Sequence, residues 1–77
     1  MLNTMPRTVR LTVAELLEKK GWSTAKFAEE AHLNYNQALN IRRGAYNRID
    51  LDTIARICEA LEIEPGELFI FENSETP

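Results

Sequence analysis

One cysteine, one histidine and three glycines are all that 77 residues provide of these types. The single thiol, Cys58, has no partner for an internal disulfide, and Cys58 with His32 alone gives too few ligands for a structural zinc site. No apolar run approaches the roughly 20 residues that span a bilayer. The opening M-L-N-T-M-P-R-T has no apolar stretch behind a basic segment, so nothing marks it for export. A soluble protein of a reducing cytoplasm is expected. Glycine is too sparse for a phosphate-cradling loop, and the carboxylates from position 59 to 75 are too spread out to make a metal cage or an acid and base pair. His32 falls in a turn with no partner for proton transfer. No catalytic residue, metal or cofactor is therefore expected, and there is no internal repeat or linker.

Hydrophobic residues make up 44% of the chain, enough for one small core and one domain, and a helical bundle is the simplest way to close it. The formal charge is −3, a poor start for a protein that binds phosphate. Its distribution changes that. All nine basic residues lie at or before position 56, against six acids, while the six remaining acids follow with no base among them. The molecule should have a basic end and an acidic end, and only the first suits a polyanion.

Along the chain, residues 1–7 show no periodicity and contain Pro6, which reads as a flexible arm; 8–71 reads as the folded domain and 72–77 as a disordered acidic tail. T-V-A-E from Thr12 to Glu15 has the form of a capping box, opening a helix over Val13 to Lys20 that Gly21 ends. Ser23 caps a second helix reaching about Ala31, with Trp22 placed to staple onto Phe27. Ala31-His32-Leu33 makes a turn, Asn34 caps a third helix from Tyr35 to Arg43, and Gly44 stops it. Residues 45–49 form a loop. Asp50 caps a fourth helix, Leu51 to Leu61, with Leu51, Ile54, Ile57, Cys58 and Leu61 turned inward, and Pro65 starts a short fifth. Phe69-Ile70-Phe71 is either the end of that helix or a strand.

The stretch Ser23 to Gly44 organises the rest. Phe27, Ala28, Ala31, Leu33, Ala38 and Ile41 fall on one side of its two helices, which gathers Tyr35, Asn36, Gln37 and Asn40 on the opposite face of the second. Carboxamides on a helix face, with Arg42 and Arg43 at its end, have the chemistry of base-edge hydrogen bonding plus phosphate contact. The expectation is a helix-turn-helix that puts residues 35–43 into a DNA major groove.

At these residues the chain resembles the XRE-type, phage repressor and Cro-like helix-turn-helix family, and within it the compact stand-alone bacterial members. V-A-E-L-L-E-K-K-G from Val13 and D-L-D-T-I-A-R-I-C-E-A-L-E-I-E-P-G-E-L from Asp50 match that group's pattern, and the resemblance covers about Leu11 to Phe69. It implies an all-α, five-helix lambda-repressor-like fold, with a short β-pairing of the N- and C-terminal segments as a further possibility. Carried over position by position, the base-reading residues are Tyr35, Asn36 and Asn40. Thr24, Gln37, Arg43, Tyr46, Asn47 and Arg48 fall at phosphate or groove positions. Three departures stand out: Thr24 where the family usually has a longer glutamine, His32 for the common turn glycine, and Leu39 for a residue that is usually polar.

The leading expectation is a small transcriptional regulator of double-stranded DNA acting as a homodimer, with no domain to take up a small molecule. The alternative is a protein-interaction module, an antitoxin or adaptor, on the same scaffold. For the dimer contact, the apolar run Leu68 to Phe71 is the candidate, with pairing to Thr8–Leu11 of its own chain as the competing use.

Overall fold

Caps and left-handed exits set the limits of the helices. The computed structural model describes residues 7–73. In chain order these form β1 (Arg7–Leu11), α1 (Val13–Lys20), α2 (Thr24–Ala31), α3 (Tyr35–Arg43), α4 (Leu51–Leu61), α5 (Pro65–Leu68) and β2 (Phe69–Asn73). Ser23, Asn34 and Asp50 accept hydrogen bonds from the backbone N–H three residues on, at 3.1, 2.8 and 3.2 Å. Each satisfies one of the amide donors that a helix start leaves over. Gly21, His32, Gly44 and Glu62 all exit left-handed, and in each case the next residue's N–H reaches back to the fourth-last helical carbonyl, as from Leu33 to Ala28 at 2.9 Å. His32 holds φ 57°, and the Arg56 guanidinium fixes its carbonyl at 3.0 Å.

Thr12 does not cap α1 as its sequence suggests. Its side chain makes no capping bond, and its φ and ψ, −94° and 23°, are outside the extended region that a cap needs. The Thr12 hydroxyl donates to the carbonyls of Glu67 and Leu68 at 3.0 and 3.2 Å, its N–H donates to Leu68 O at 2.8 Å, and Glu15 turns to Arg10. A tertiary partner outcompetes the local one because Thr12 also continues the strand pairing that leads into the helix.

The core draws on every helix: Val13 and Leu17 from α1, Phe27, Ala28 and Ala31 from α2, Ala38 and Ile41 from α3, Ile57, Cys58 and Leu61 from α4, and Leu68 from α5. Alanines at 28, 31 and 38 keep side chains small where α2 meets α3. Phe27 fills the centre and is fully buried, a contribution of about 1.5–3 kcal/mol. Burial also raises the Cys58 thiol pKa above its ordinary value, as expected for a small core residue. Leu51, expected inside, is 82% exposed. The inward stripe of α4 begins with Thr53 and Ile54, so Leu51 at the first helical position lies past the edge of the core.

β1 and β2 pair antiparallel with Leu11 opposite Phe69, Val9 opposite Phe71 and Arg7 opposite Asn73. The apolar run after α5 thus pairs with β1 of its own chain, and Leu68 is fully buried in the core. Both strands reach past 8–71, taking in Arg7 at one end and Glu72 and Asn73 at the other. The rest of the arm, 1–6, and of the tail, 74–77, lies outside the described residues. Arg10 ties the ribbon to the body, its guanidinium 2.8 Å from Glu15 and 2.9 Å from Glu72. These bonds raise the pKa of Arg10 and hold the Glu15 carboxyl below its usual range.

Candidate nucleic-acid interface

The inner face of α3 is committed to the core through Ala38 and Ile41, which leaves Tyr35, Asn36, Gln37 and Asn40 exposed together on the outer face. Asn34 starts the helix by accepting from the Gln37 N–H, so the carboxamides at 36, 37 and 40 belong to one rigid element. Leu39 is half-buried, which places it at the border of this face. Within the helix there is no acidic residue.

Charge is arranged to match. Among the described residues, ion pairs join Arg10 to Glu15 and Glu72, Lys26 to Glu30 and Arg56 to Asp52, whereas none uses Arg42, Arg43 or Arg48. The basic side chains at the end of α3 and in its following loop keep their charge free for an outside anion. Gln37 and Asn40 share a cleft of about 230 Å³ with Arg48, Ile49 and Asp50, which brings the loop charge beside the carboxamides. The Asp50 carboxylate is occupied as a cap, and hydrogen bonding from Thr53 holds its pKa below the ordinary aspartate value.

Two positions make contacts within the chain that the sequence does not announce. Tyr46, placed near phosphate by resemblance, is half-buried against the core, and its hydroxyl accepts the Leu11 N–H at 3.1 Å. It anchors the loop to β1 and leaves the exposed Asn47 and Arg48 at the surface. Arg42, read from sequence as one of a pair of helix-end charges with Arg43 the better phosphate candidate, donates from Nη1 to Thr24 Oγ1 at 3.1 Å. Thr24 is too short to reach far from the start of α2, and the structure puts a guanidinium there instead. Helical spacing gave no sign of this, because 18 residues separate the two.

Helices of eight and nine residues joined across a three-residue turn, the first braced on the core and the second showing a polar outer face beside free arginines, define a helix-turn-helix DNA-binding domain. A model of the Cro/C1-type HTH DNA-binding domain matches residues 10–74, and the chain belongs to that family. Among solved structures, a Bacteroides fragilis protein for which DNA binding has been proposed matches with a TM-score of 0.70 at 17% identity, over 82% of this chain and 100% of that one; at that identity the likeness is one of fold. No curated protein matches the chain significantly.

Proposed function

We propose that the chain is a small transcriptional regulator, cytoplasmic and dimeric, that reads double-stranded DNA by laying α3 in the major groove. Asn36 and Asn40 hydrogen-bond base edges, the natural use of a carboxamide that can grip adenine through two bonds, and Tyr35 joins them from the first turn. Gln37, Arg43, Asn47 and Arg48 hold phosphates on one side. Arg42, seated at Thr24, serves the backbone on the other, while Tyr46 positions the loop. The observation that carries the reading is the coincidence of the exposed carboxamides with the only cluster of arginines left out of ion pairs among the described residues. A single recognition helix covers few base pairs, so two copies spaced about 34–36 Å apart, one turn of duplex, supply a site long enough to be selective.

The test is selection of fragments from a genomic DNA pool followed by binding titrations at several salt concentrations. The expected result is an enriched sequence with approximate two-fold symmetry, bound with an affinity that falls steeply as salt rises. A chain that enriches nothing and binds duplex no better at low salt would leave the adaptor alternative standing.

A further inference from the structure

Leu39 is the side chain that the fold leaves without a use. Every other half-buried hydrophobic residue among the described residues packs against the core, and Leu39 does not. Its partial cover therefore comes from outside the core. On a helix the neighbours of position 39 are Tyr35 and Asn36 one turn back and Arg42 and Arg43 one turn on, and a helical side chain leans toward the turn before its own. Leu39 thus leans toward Tyr35 and Asn36, both exposed, at the border of the carboxamide face. Neither arginine of the next turn is in an ion pair among the described residues, and α3 has no acid, so this surface is electrostatically suited to a polyanion.

A leucine offers a base edge neither donor nor acceptor. Against the floor of a major groove it would leave the amino group of a cytosine or the O6 of a guanine without a partner, whereas the 5-methyl group of thymine is the apolar feature that the groove presents. The neighbouring carboxamide points the same way. Asparagine grips adenine, and every adenine brings a thymine across the pair.

We propose that Leu39 reads thymine: with α3 in the major groove, it packs on the 5-methyl group of a thymine at or next to the base pair that Asn36 reads. The proposal rests on the reading of α3 as the base-reading helix and adds one residue and one base feature to it. Burying a methyl group is worth about fourfold in affinity. The unpaired amino group of a cytosine in the same place adds to the discrimination.

The methyl group can be removed from the DNA without touching the protein. In the duplex enriched from the genomic pool, each thymine is replaced in turn by uracil, which keeps the pairing and the O4 acceptor. Wild type is expected to lose about fourfold in affinity at one thymine of a half-site. Leu39→Ala is expected to bind the thymine duplex about as weakly as wild type binds the uracil one, to draw no distinction between the two, and to melt close to wild type because position 39 takes no part in the core. A leucine that only steadies the helix against Tyr35 would make the variant weaken both duplexes by one factor, and that result overturns the proposal. So does a wild type that accepts uracil at every thymine, an arm that needs no variant and stands even if Leu39→Ala does not fold. 5-Methylcytosine carries the same methyl group and is tested opposite guanine at the sensitive position; tighter binding there than to thymine overturns thymine as its source. A chain that enriches no duplex sinks the regulator reading and this role of Leu39 together, whereas an enriched duplex indifferent to uracil sinks the role of Leu39 alone.

Discussion

α3 and α4 are built to the same plan and end up with different jobs. Each starts on an Asx residue that accepts from the N–H three places on, each ends in a left-handed residue, and each buries a stripe in the same core. Their outer faces differ. On α4, Arg56 is spent on Asp52 at 2.6 Å and on the His32 carbonyl, and its other outward polar residues are acidic. On α3 there is no acid, and the two arginines at its end are in no ion pair among the described residues. Caps and stripes decide that a helix forms and where it sits; they leave the outward residues open, and there the two helices part.

The largest difference should appear on stability. Ile57→Ala on the inner face of α4 opens a cavity at a fully buried position and should cost about 2–5 kcal/mol, a large share of what a domain this small has. Thermal or urea unfolding measures it. On the outer faces the order reverses. Asn36→Ala and Asn40→Ala should each cost about 1–3 kcal/mol in binding to the preferred site, with melting nearly unchanged, while Glu59→Ala, outward on α4, changes neither. Arg43→Ala should weaken every duplex alike and flatten the salt slope by about one unit. Asparagine and arginine variants that behave identically on specific and random DNA would break the comparison at its centre.

A smaller effect separates the true caps from the apparent one. At Asn34 and Asp50 a side-chain oxygen accepts, but at Thr12 the hydroxyl donates to two carbonyls. Thr12→Asp should therefore destabilise by about 1 kcal/mol, since an ionised carboxylate has no proton to give. A gain in stability would mean that Thr12 caps α1 after all, because aspartate is among the best residues in that role.

Most of the fold was legible in the residues because its signals are local. Ser23, Asn34, Asp50 and the two exit glycines mark helix limits within a few positions of the residues they act on, and the end of α1, the start of α2, both limits of α3 and the start of α4 follow from them. What was misread depends on how the elements pack. Thr12 was misread because Glu67 and Leu68 lie more than 50 positions away, and Leu51 because periodicity cannot say where a core ends. Glu62 exits left-handed without a glycine to announce it. At the site, the outward face of α3 could be read from spacing, whereas the Arg42 contact with Thr24 and the Tyr46 contact with Leu11 depend on how the elements pack.

The smallest effect concerns the chemistry of the two caps. Asn34 is neutral at every pH, whereas Asp50 titrates, and hydrogen bonding from Thr53 holds its folded pKa below the ordinary value of 3.8. A depressed carboxyl pKa stabilises the fold fully above the unfolded value, and that contribution is lost as pH falls through the folded one. Acid should thus loosen the start of α4 and spare that of α3. Asp50→Asn keeps an accepting oxygen but loses the charge at a helix N-terminus, so it should melt below wild type at neutral pH and draw level in acid, beneath the ordinary aspartate range. Glu15, whose pKa is lowered chiefly by Arg10, titrates in both proteins and drops out of the difference. Asn34→Asp should transfer the same acid sensitivity to α3, visible as a gap that opens above the aspartate range and closes beneath it. Melting curves from neutral pH down to about 2, run on wild type and both variants, check the pair. A gap between Asp50→Asn and wild type that does not change with pH would mean that the charge of Asp50 contributes nothing to its cap.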